Sequence, residues 1–162
     1  MARRMPRQKP GESDPDVGTD PKLLRAVRRL LGIRAFDCDL AASPQNAVAQ
    51  KFYTKSDDAL RQPWRVGSGW NWLNPPFDEI EPWVKRAYLQ SSAANSAQTA
   101  MLVPLGCPDW WRFWVHHKAR VMLLNGRLTF VGHSDPYPKD CAILLYGPYV
   151  KTSYEVWVWG QQ

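Results

Sequence analysis

The sequence predicts an α/β fold with a mostly parallel sheet, helices on both faces, and an antiparallel hairpin near the C-terminus. Three observations support this prediction. Short apolar runs alternate with segments of helical periodicity. The run Thr99–Leu105 is apolar almost throughout, as in a buried strand of a parallel sheet. Asn125 and Gly126 lie between two apolar runs, which is the strongest short-range signal for a hairpin.

The first helix is predicted to begin at Pro21, with Asp20 as its N-cap and Gly32 just past its end. Its apolar residues share one face, and its Lys and Arg residues occupy the remainder. Residues 1–18 are rich in Pro, Gly and charge, with almost nothing to bury. We therefore expect a disordered basic tail at 1–18, followed by a single domain over 19–162.

Periodicity and length predict the remaining elements. The expected strands are Arg34–Asp39, Trp70–Leu73, Thr99–Leu105, Cys141–Tyr146 and a last edge strand at Tyr154–Trp159. The predicted hairpin joins Arg120–Leu124 to Leu128–Val131. Helices are expected after Asp78 and from Pro108, and a short one over Asn46–Lys51.

The sequence Asn74-Pro75-Pro76-Phe77 follows a predicted strand and precedes a predicted helix. Two prolines fix φ and remove two backbone donors, so the turn is stiff and its carbonyls stay free. Asn74 adds an amide with an acceptor and donors, and Phe77 adds a flat apolar ring. This combination can clamp a planar amino group, although a rigid turn before a helix has the same sequence requirements.

The tetrapeptide and its neighbours resemble the compact phage and prophage DNA adenine-N6 methyltransferase (Dam-like) family. The resemblance spans roughly residues 19–147. It rests on these segments in the family's order: Thr19-Asp20-Pro21, Phe36–Ala42, Asn46-Ala47, Phe52-Tyr53-Thr54, Asp58-Ala59-Leu60, Trp64, Asn74–Phe77, Trp83–Ala87, Leu102-Val103-Pro104, Trp110-Trp111 and Gly126–Phe130.

The resemblance implies a reduced Rossmann-like class I methyltransferase fold and site-specific transfer of a methyl group from S-adenosylmethionine to a flipped-out adenine. It implies catalytic roles for Asn74, Pro75, Pro76 and Phe77, and cofactor contacts from Thr19, Asp37, Asp39, Ala41 and Asp58. Asp58 is equally suited to cap a helix. The usual glycine-rich loop of S-adenosylmethionine enzymes, Phe-x-Gly-x-Gly, is absent.

The charge favours a nucleic-acid partner. The net charge of the chain is +6. An excess of Lys and Arg favours binding to nucleic acid, because neutralising its phosphates releases bound counterions. We expect double-stranded DNA as the partner, with Lys85, Arg86 and Arg127 as candidate contacts. Arg127, in the predicted hairpin turn, can read guanine, bind a phosphate or support the fold.

Other classes of function stay open from sequence alone. The alternatives are methylation of cytosine N4 or of a protein glutamine amide, or a DNA-binding module without catalysis. No apolar run approaches about 18 residues, so no membrane span is expected. The three cysteines and three histidines show no spacing typical of metal ligands, so we expect no metal site. We expect the cysteines to be reduced thiols and the protein to act in the cytoplasm of a bacterial or phage-infected cell. The sequence does not determine the oligomeric state or the target site.

Overall fold

The computed structural model describes residues 18–161. Its helices are α1 (Pro21–Leu31), α2 (Glu81–Gln90) and α3 (Asp109–Trp114), with short 3-10 helices at Lys55–Asp57 and Ala59–Arg61. Its strands are β1 (Cys38–Asp39), β2 (Trp70–Leu73), β3 (Gln98–Pro104), β4 (Arg120–Leu124), β5 (Cys141–Tyr146) and β6 (Ser153–Trp157). The predicted tail lies outside the described residues, apart from Gly18.

The six strands form one mixed sheet in the order β1-β2-β3-β5-β4-β6. The pairs β1–β2, β2–β3 and β4–β6 are parallel. The pairs β3–β5 and β5–β4 are antiparallel, because β5 runs opposite to its two neighbours. The prediction of a mostly parallel α/β sheet with an antiparallel part near the C-terminus is therefore confirmed.

Each face of the sheet carries its own apolar core. One core joins α1 to the side chains of Trp72, Leu102 and Ile143, and the other joins α2 and α3 to alternate residues such as Met101 and Leu144. This alternation follows from the period of two along a strand. Helices lie on both faces, as predicted.

The start and end of α1 follow its sequence. The Lys22 N–H donates to Asp20 Oδ1 at 2.8 Å, which satisfies one of the free N–H groups of the first turn. Gly32 ends the helix at φ 67°, a left-handed conformation that favours glycine. The prediction for both ends of this helix is confirmed.

The predicted hairpin across Asn125 and Gly126 is wrong. Residues 128–131 form no strand, and β4 instead pairs with β5 through a long connection over residues 125–140. The reason is that β4 already has a neighbour on each side, β5 on one and β6 on the other. The Asn125 N–H donates to the Trp157 carbonyl of β6 at 3.0 Å, and Leu128 turns into the core beside α1.

Two other local predictions are corrected. The predicted strand Arg34–Asp39 is reduced to Cys38–Asp39, and the predicted helix Asn46–Lys51 is a series of turns and bends. The Val48 N–H donates to the Asp39 carboxylate at 3.1 Å, so the segment is held by a side chain and not by helical hydrogen bonds. Within residues 18–161, no helix is long and apolar enough to span a bilayer.

Candidate active site

Asn74 lies directly after the carboxyl end of β2, where the chain leaves the sheet. Its Nδ2 donates to Thr19 Oγ1 at 3.2 Å. Because the amide nitrogen faces Thr19, the acceptor Oδ1 is the atom left to bind another group. The strand–turn placement predicted for this residue is confirmed, and its partner lies 55 residues away in the sequence.

Thr19 is buried, with 7% of its surface exposed. Its neighbour Gly18 accepts a hydrogen bond from the Val131 N–H at 3.0 Å. The segment before α1 is therefore held between the Asn74 turn and the 125–140 connection. Thr19 was predicted as a cofactor contact. In the structure its hydroxyl also accepts a hydrogen bond from the Asn74 amide.

Phe77 belongs to an aromatic cluster made of Phe77, Phe130 and Tyr137. Its ring centroid lies 6.2 Å from that of Phe130 and 5.6 Å from that of Tyr137, both edge to face. Each such pair contributes about 0.5–1.5 kcal/mol beyond its buried area. The cluster fixes the 125–140 connection over the Pro-Pro turn, and no local sequence pattern marked Phe130 or Tyr137 as neighbours of Phe77.

Asp39 ends β1 and is 3% exposed. Its carboxylate accepts from the Val48 N–H at 3.1 Å and from the Ala41 N–H at 3.4 Å. Burial raises the pKa of this carboxyl to about 6, and the two backbone donors oppose that rise by stabilising the charged form. Asp39 therefore shapes the turns that carry Ala41 and Val48.

These residues surround a small cleft at the carboxyl ends of β1 and β2, the position where open α/β sheets bind ligands. The cleft contains about 290 Å³ of empty space, including the part open to solvent. Its lining comprises Gly18, Thr19, Asp39, Ala41, Asn46, Val48, Trp72 and Asn74. The fold thus brings together four residues predicted from sequence, namely Asn74, Thr19, Asp39 and Ala41.

Asp37 and Asp58 do not line this cleft. The Asp37 carboxylate accepts from the Gly69 N–H at 2.7 Å, beside the start of β2. A Cβ at Gly69 would lie 2.8 Å from Asp37 Oδ1, so the glycine allows this close approach. Asp58 is exposed, has φ 51°, and forms an ion pair with Arg61 at 3.4 Å.

Comparison with known proteins identifies the family. The family model described as DNA N-6-adenine-methyltransferase (Dam) matches residues 13–144. The chain belongs to this family. Membership indicates DNA adenine-N6 methyltransferase activity, which makes DNA the substrate.

Two curated relatives carry the same description. The DNA N-6-adenine-methyltransferase of Haemophilus phage HP1 is 28% identical over 119 residues, which cover 70% of this chain and 68% of the relative. That of Escherichia phage T1 is 37% identical over 95 residues, which cover 58% of this chain but only 39% of the relative. No solved structure matched the chain significantly.

The basic residues predicted to contact DNA differ in how firmly the methyltransferase holds them. Arg86 packs over the Trp64 ring at 5.8 Å and donates to the Gln62 carbonyl, so it stabilises the fold. Lys85 is exposed, with its ammonium 5.3 Å from the Trp114 ring centroid. Arg127 forms an ion pair with Asp140 at 3.8 Å, and both side chains are more than half exposed. An exposed pair of this kind is weak, so Asp140 holds Arg127 only loosely.

The thiols and imidazoles of this methyltransferase lie outside the cleft. Cys38 and Cys141 are buried, which raises their thiol pKa values to about 11 and about 12, and Cys107 is exposed and free. His116 and His117 both follow the end of α3, and their ring centroids are 3.8 Å apart. Over residues 18–161, no three His, Cys, Asp or Glu side chains are grouped to hold a metal ion.

Proposed function

We propose that this cleft binds S-adenosylmethionine and that Asn74–Phe77 hold a flipped-out adenine of double-stranded DNA beside it. The single observation that carries the proposal is the position of Asn74. It lines the cleft with Thr19 and Asp39 and also begins the rigid turn that leads to Phe77. The proposal therefore gives Asn74 contacts with both reactants.

The proposed reaction depends on acceptors at Asn74 Oδ1 and at the Pro75 carbonyl. The amino nitrogen of adenine is conjugated with its ring, so its lone pair is a poor nucleophile. Two acceptors that bind its N–H groups favour a pyramidal nitrogen and turn the lone pair toward the methyl donor. The same fixed dipoles stabilise the positive charge that develops on nitrogen. No base is required before transfer, because the proton becomes acidic only afterwards.

The lining of the cleft suits a ligand with amino and hydroxyl groups. Thr19, Asn46 and Asn74 place polar side chains around it, and Ala41 leaves room for close approach. We assign the cofactor contacts to Ala41 and Asn46, with Thr19 orienting the Asn74 amide and Asp39 holding the turns between them. When bound, the cofactor supplies an electrophilic methyl group on a sulfonium.

Adenine must leave the duplex to reach this site, which costs a few kcal/mol. Stacking on an aromatic ring contributes about 1–3 kcal/mol per base, and Phe77 is the ring on the Pro-Pro turn. Since Phe130 and Tyr137 contact Phe77 edge to face, they hold its ring in place. The extruded base would therefore meet a surface that is already ordered.

The topology supports a reduced class I methyltransferase fold. The strands β1, β2 and β3 are parallel neighbours, and the antiparallel β5 is inserted between β3 and β4. The cleft and the clamp lie at the carboxyl ends of β1 and β2, although the glycine-rich loop usual in this class is absent from the sequence.

The decisive experiment is methylation of plasmid DNA by the purified chain with labelled S-adenosylmethionine, followed by mapping of the modified bases. We expect label at adenine N6 within one short sequence. Asn74→Ala should lower transfer at least about 100-fold, the scale seen when one fixed dipole is removed from a transition-state site. The matched control is Asn95→Ala, the same change on an exposed loop. Label on cytosine, or full activity of Asn74→Ala, would refute the proposal.

A further inference from the structure

The two edges of the sheet are protected very differently. At the β1 edge, the segment 51–53 runs alongside as a partner: Asp39 N–H donates to the Lys51 carbonyl at 3.0 Å, and Tyr53 N–H donates to the Asp39 carbonyl at 2.9 Å. At the other edge, β6 pairs with β4, and no strand of residues 18–161 pairs with its outer side. An unprotected edge is a template for pairing with another strand.

The outer strand and the residue directly after it also expose apolar side chains at alternate positions. Tyr154, Val156 and Val158 are 45%, 70% and 43% exposed. They make up three of the seven large hydrophobic residues that are exposed among residues 18–161. Because alternate residues of a strand share one face, these three form a continuous apolar row along the edge.

The same three residues direct their backbone groups outward. The Trp157 carbonyl accepts from the Asn125 N–H, so Trp157 faces β4. In a strand, the N–H and C=O of one residue point to the same side, and the side alternates from residue to residue. Tyr154 and Val156 therefore present their N–H and C=O groups to the open edge. The Val158 N–H points the same way, because it lies across the peptide from the Trp157 carbonyl that accepts from Asn125. The row is apolar in its side chains and unpaired in its backbone.

We propose that β6 pairs antiparallel with β6 of a second copy of this chain, about a twofold axis through Val156. This register places Val156 opposite Val156 of the second copy and Tyr154 opposite Val158, so all the outward backbone groups are paired. It also joins the two apolar rows on one face of a continuous sheet. A register centred on Glu155 would place two carboxylates directly opposite each other, which is destabilising.

The contacts of Tyr154 and Glu155 prepare the strand for this pairing. The Tyr154 hydroxyl is hydrogen-bonded to Trp111 Nε1 at 3.2 Å and to His116 Nδ1 at 2.8 Å, which fixes the ring against α3. Glu155 is held by Arg120 at 2.9 Å on the opposite face of the sheet, away from the apolar row. The side chains of Tyr154 and Glu155 are thus held in place within one chain.

The N-terminal segment of the chain is a poorer occupant of this edge. Residues 1–17 contain Pro6, Pro10 and Pro15, and a proline cannot donate to a strand ladder. The stretches between those prolines have three and four residues, and the five residues before Pro6 include Arg3 and Arg4, so none matches the apolar row. A second copy of β6 has the matching length, polarity and apolar pattern.

The test measures the molar mass of the full chain by light scattering and by sedimentation over a range of protein concentrations. We expect a dimer at the upper concentrations. Val156→Lys adds a charge to the apolar row, and Val156→Pro removes one outward N–H while leaving the hydrogen bonds to β4 in place. Both should give the mass of one chain. Leu89→Lys is the matched control, since Leu89 is 48% exposed on α2, and it should remain a dimer.

Cross-linking tests the register. In a Cys107→Ser background, which removes the exposed native thiol, Val156→Cys should form a disulfide between two copies. A hydrogen-bonded antiparallel pair has a Cα–Cα separation of about 5.5 Å, within the range for disulfides. Val158→Cys in the same background should not, because Val158 lies opposite Tyr154. Circular dichroism confirms folding of each variant. A monomer at every concentration, a dimer that survives both Val156 changes, or cross-linking at Val158 alone overturns the proposal.

Discussion

Thr19→Val isolates the role of the hydrogen bond that orients the Asn74 amide. Valine has nearly the same shape as threonine but lacks the hydroxyl, so the buried site keeps its packing and loses one acceptor. The bond is 3.2 Å long and joins two neutral groups. A bond of this kind contributes about 0.5–1.5 kcal/mol net. Without it, the Asn74 amide has no partner that fixes its orientation.

The expected result is a decrease in the rate of methyl transfer of roughly two- to tenfold, because about 1.4 kcal/mol corresponds to a factor of ten. The loss should be seen in the single-turnover rate at saturating DNA and S-adenosylmethionine. The dissociation constant of the cofactor should change little, since the cleft keeps its shape. Thr19→Ser restores the hydroxyl and should recover most of the rate.

The assay also separates this role from cofactor binding, the role first assigned to Thr19. A residue that mainly binds the cofactor would weaken its affinity and leave the saturated rate unchanged. A wild-type rate in Thr19→Val, or an equal loss in Thr19→Ser, would refute the positioning role. Equilibrium unfolding in urea checks that both variants are folded before rates are compared.

Three further predictions concern the other carboxylates and Arg127. The folded-state pKa of Asp39, about 6, exceeds its ordinary value of 3.8, so the folded protein takes up a proton as the pH falls through this window. The contribution of Asp39 to the free energy of unfolding therefore decreases by up to about 3 kcal/mol as the pH rises from about 4 to about 6. In Asp39→Asn, the free energy of unfolding measured in urea should lack this dependence on pH. Asp37→Ala should lower stability by about 1 kcal/mol, through loss of the Gly69 bond, with cofactor affinity measured by calorimetry unchanged. Arg127→Ala should change the free energy of unfolding by no more than about 0.5 kcal/mol and should weaken DNA binding. The slope of binding affinity against salt concentration should decrease by the amount expected for about one phosphate contact.

The elements that depended on local chemistry were predicted well from sequence. The Asp20 cap, the Gly32 end and the apolar runs that became β2 and β5 need only neighbouring residues to specify them. The hairpin at Asn125 failed for a nonlocal reason. Its turn chemistry was suitable, but the two sides of β4 were taken by β5 and β6, which arrive later in the chain.

Some features of the candidate site were likewise predictable from local sequence, and others were not. The rigid turn at Asn74 and its position after a strand were visible in the sequence, and the family resemblance pointed to both Asp37 and Asp39. The structure separates these two carboxylates, since Asp37 binds Gly69 and Asp39 binds the Val48 segment. Their spacing in the sequence contains no information about which distant backbone donors reach them.

The sequence by itself determined the rigid turn at Asn74–Phe77, the family and the alternation of strands and helices, because each depends on residue identity and short spacing. Tertiary structure alone decided that Thr19 orients Asn74, that Phe130 and Tyr137 hold Phe77, and that one sheet edge is left open. Those features arise where segments far apart in the chain compete for the same hydrogen-bonding and packing positions, and only the folded chain resolves that competition.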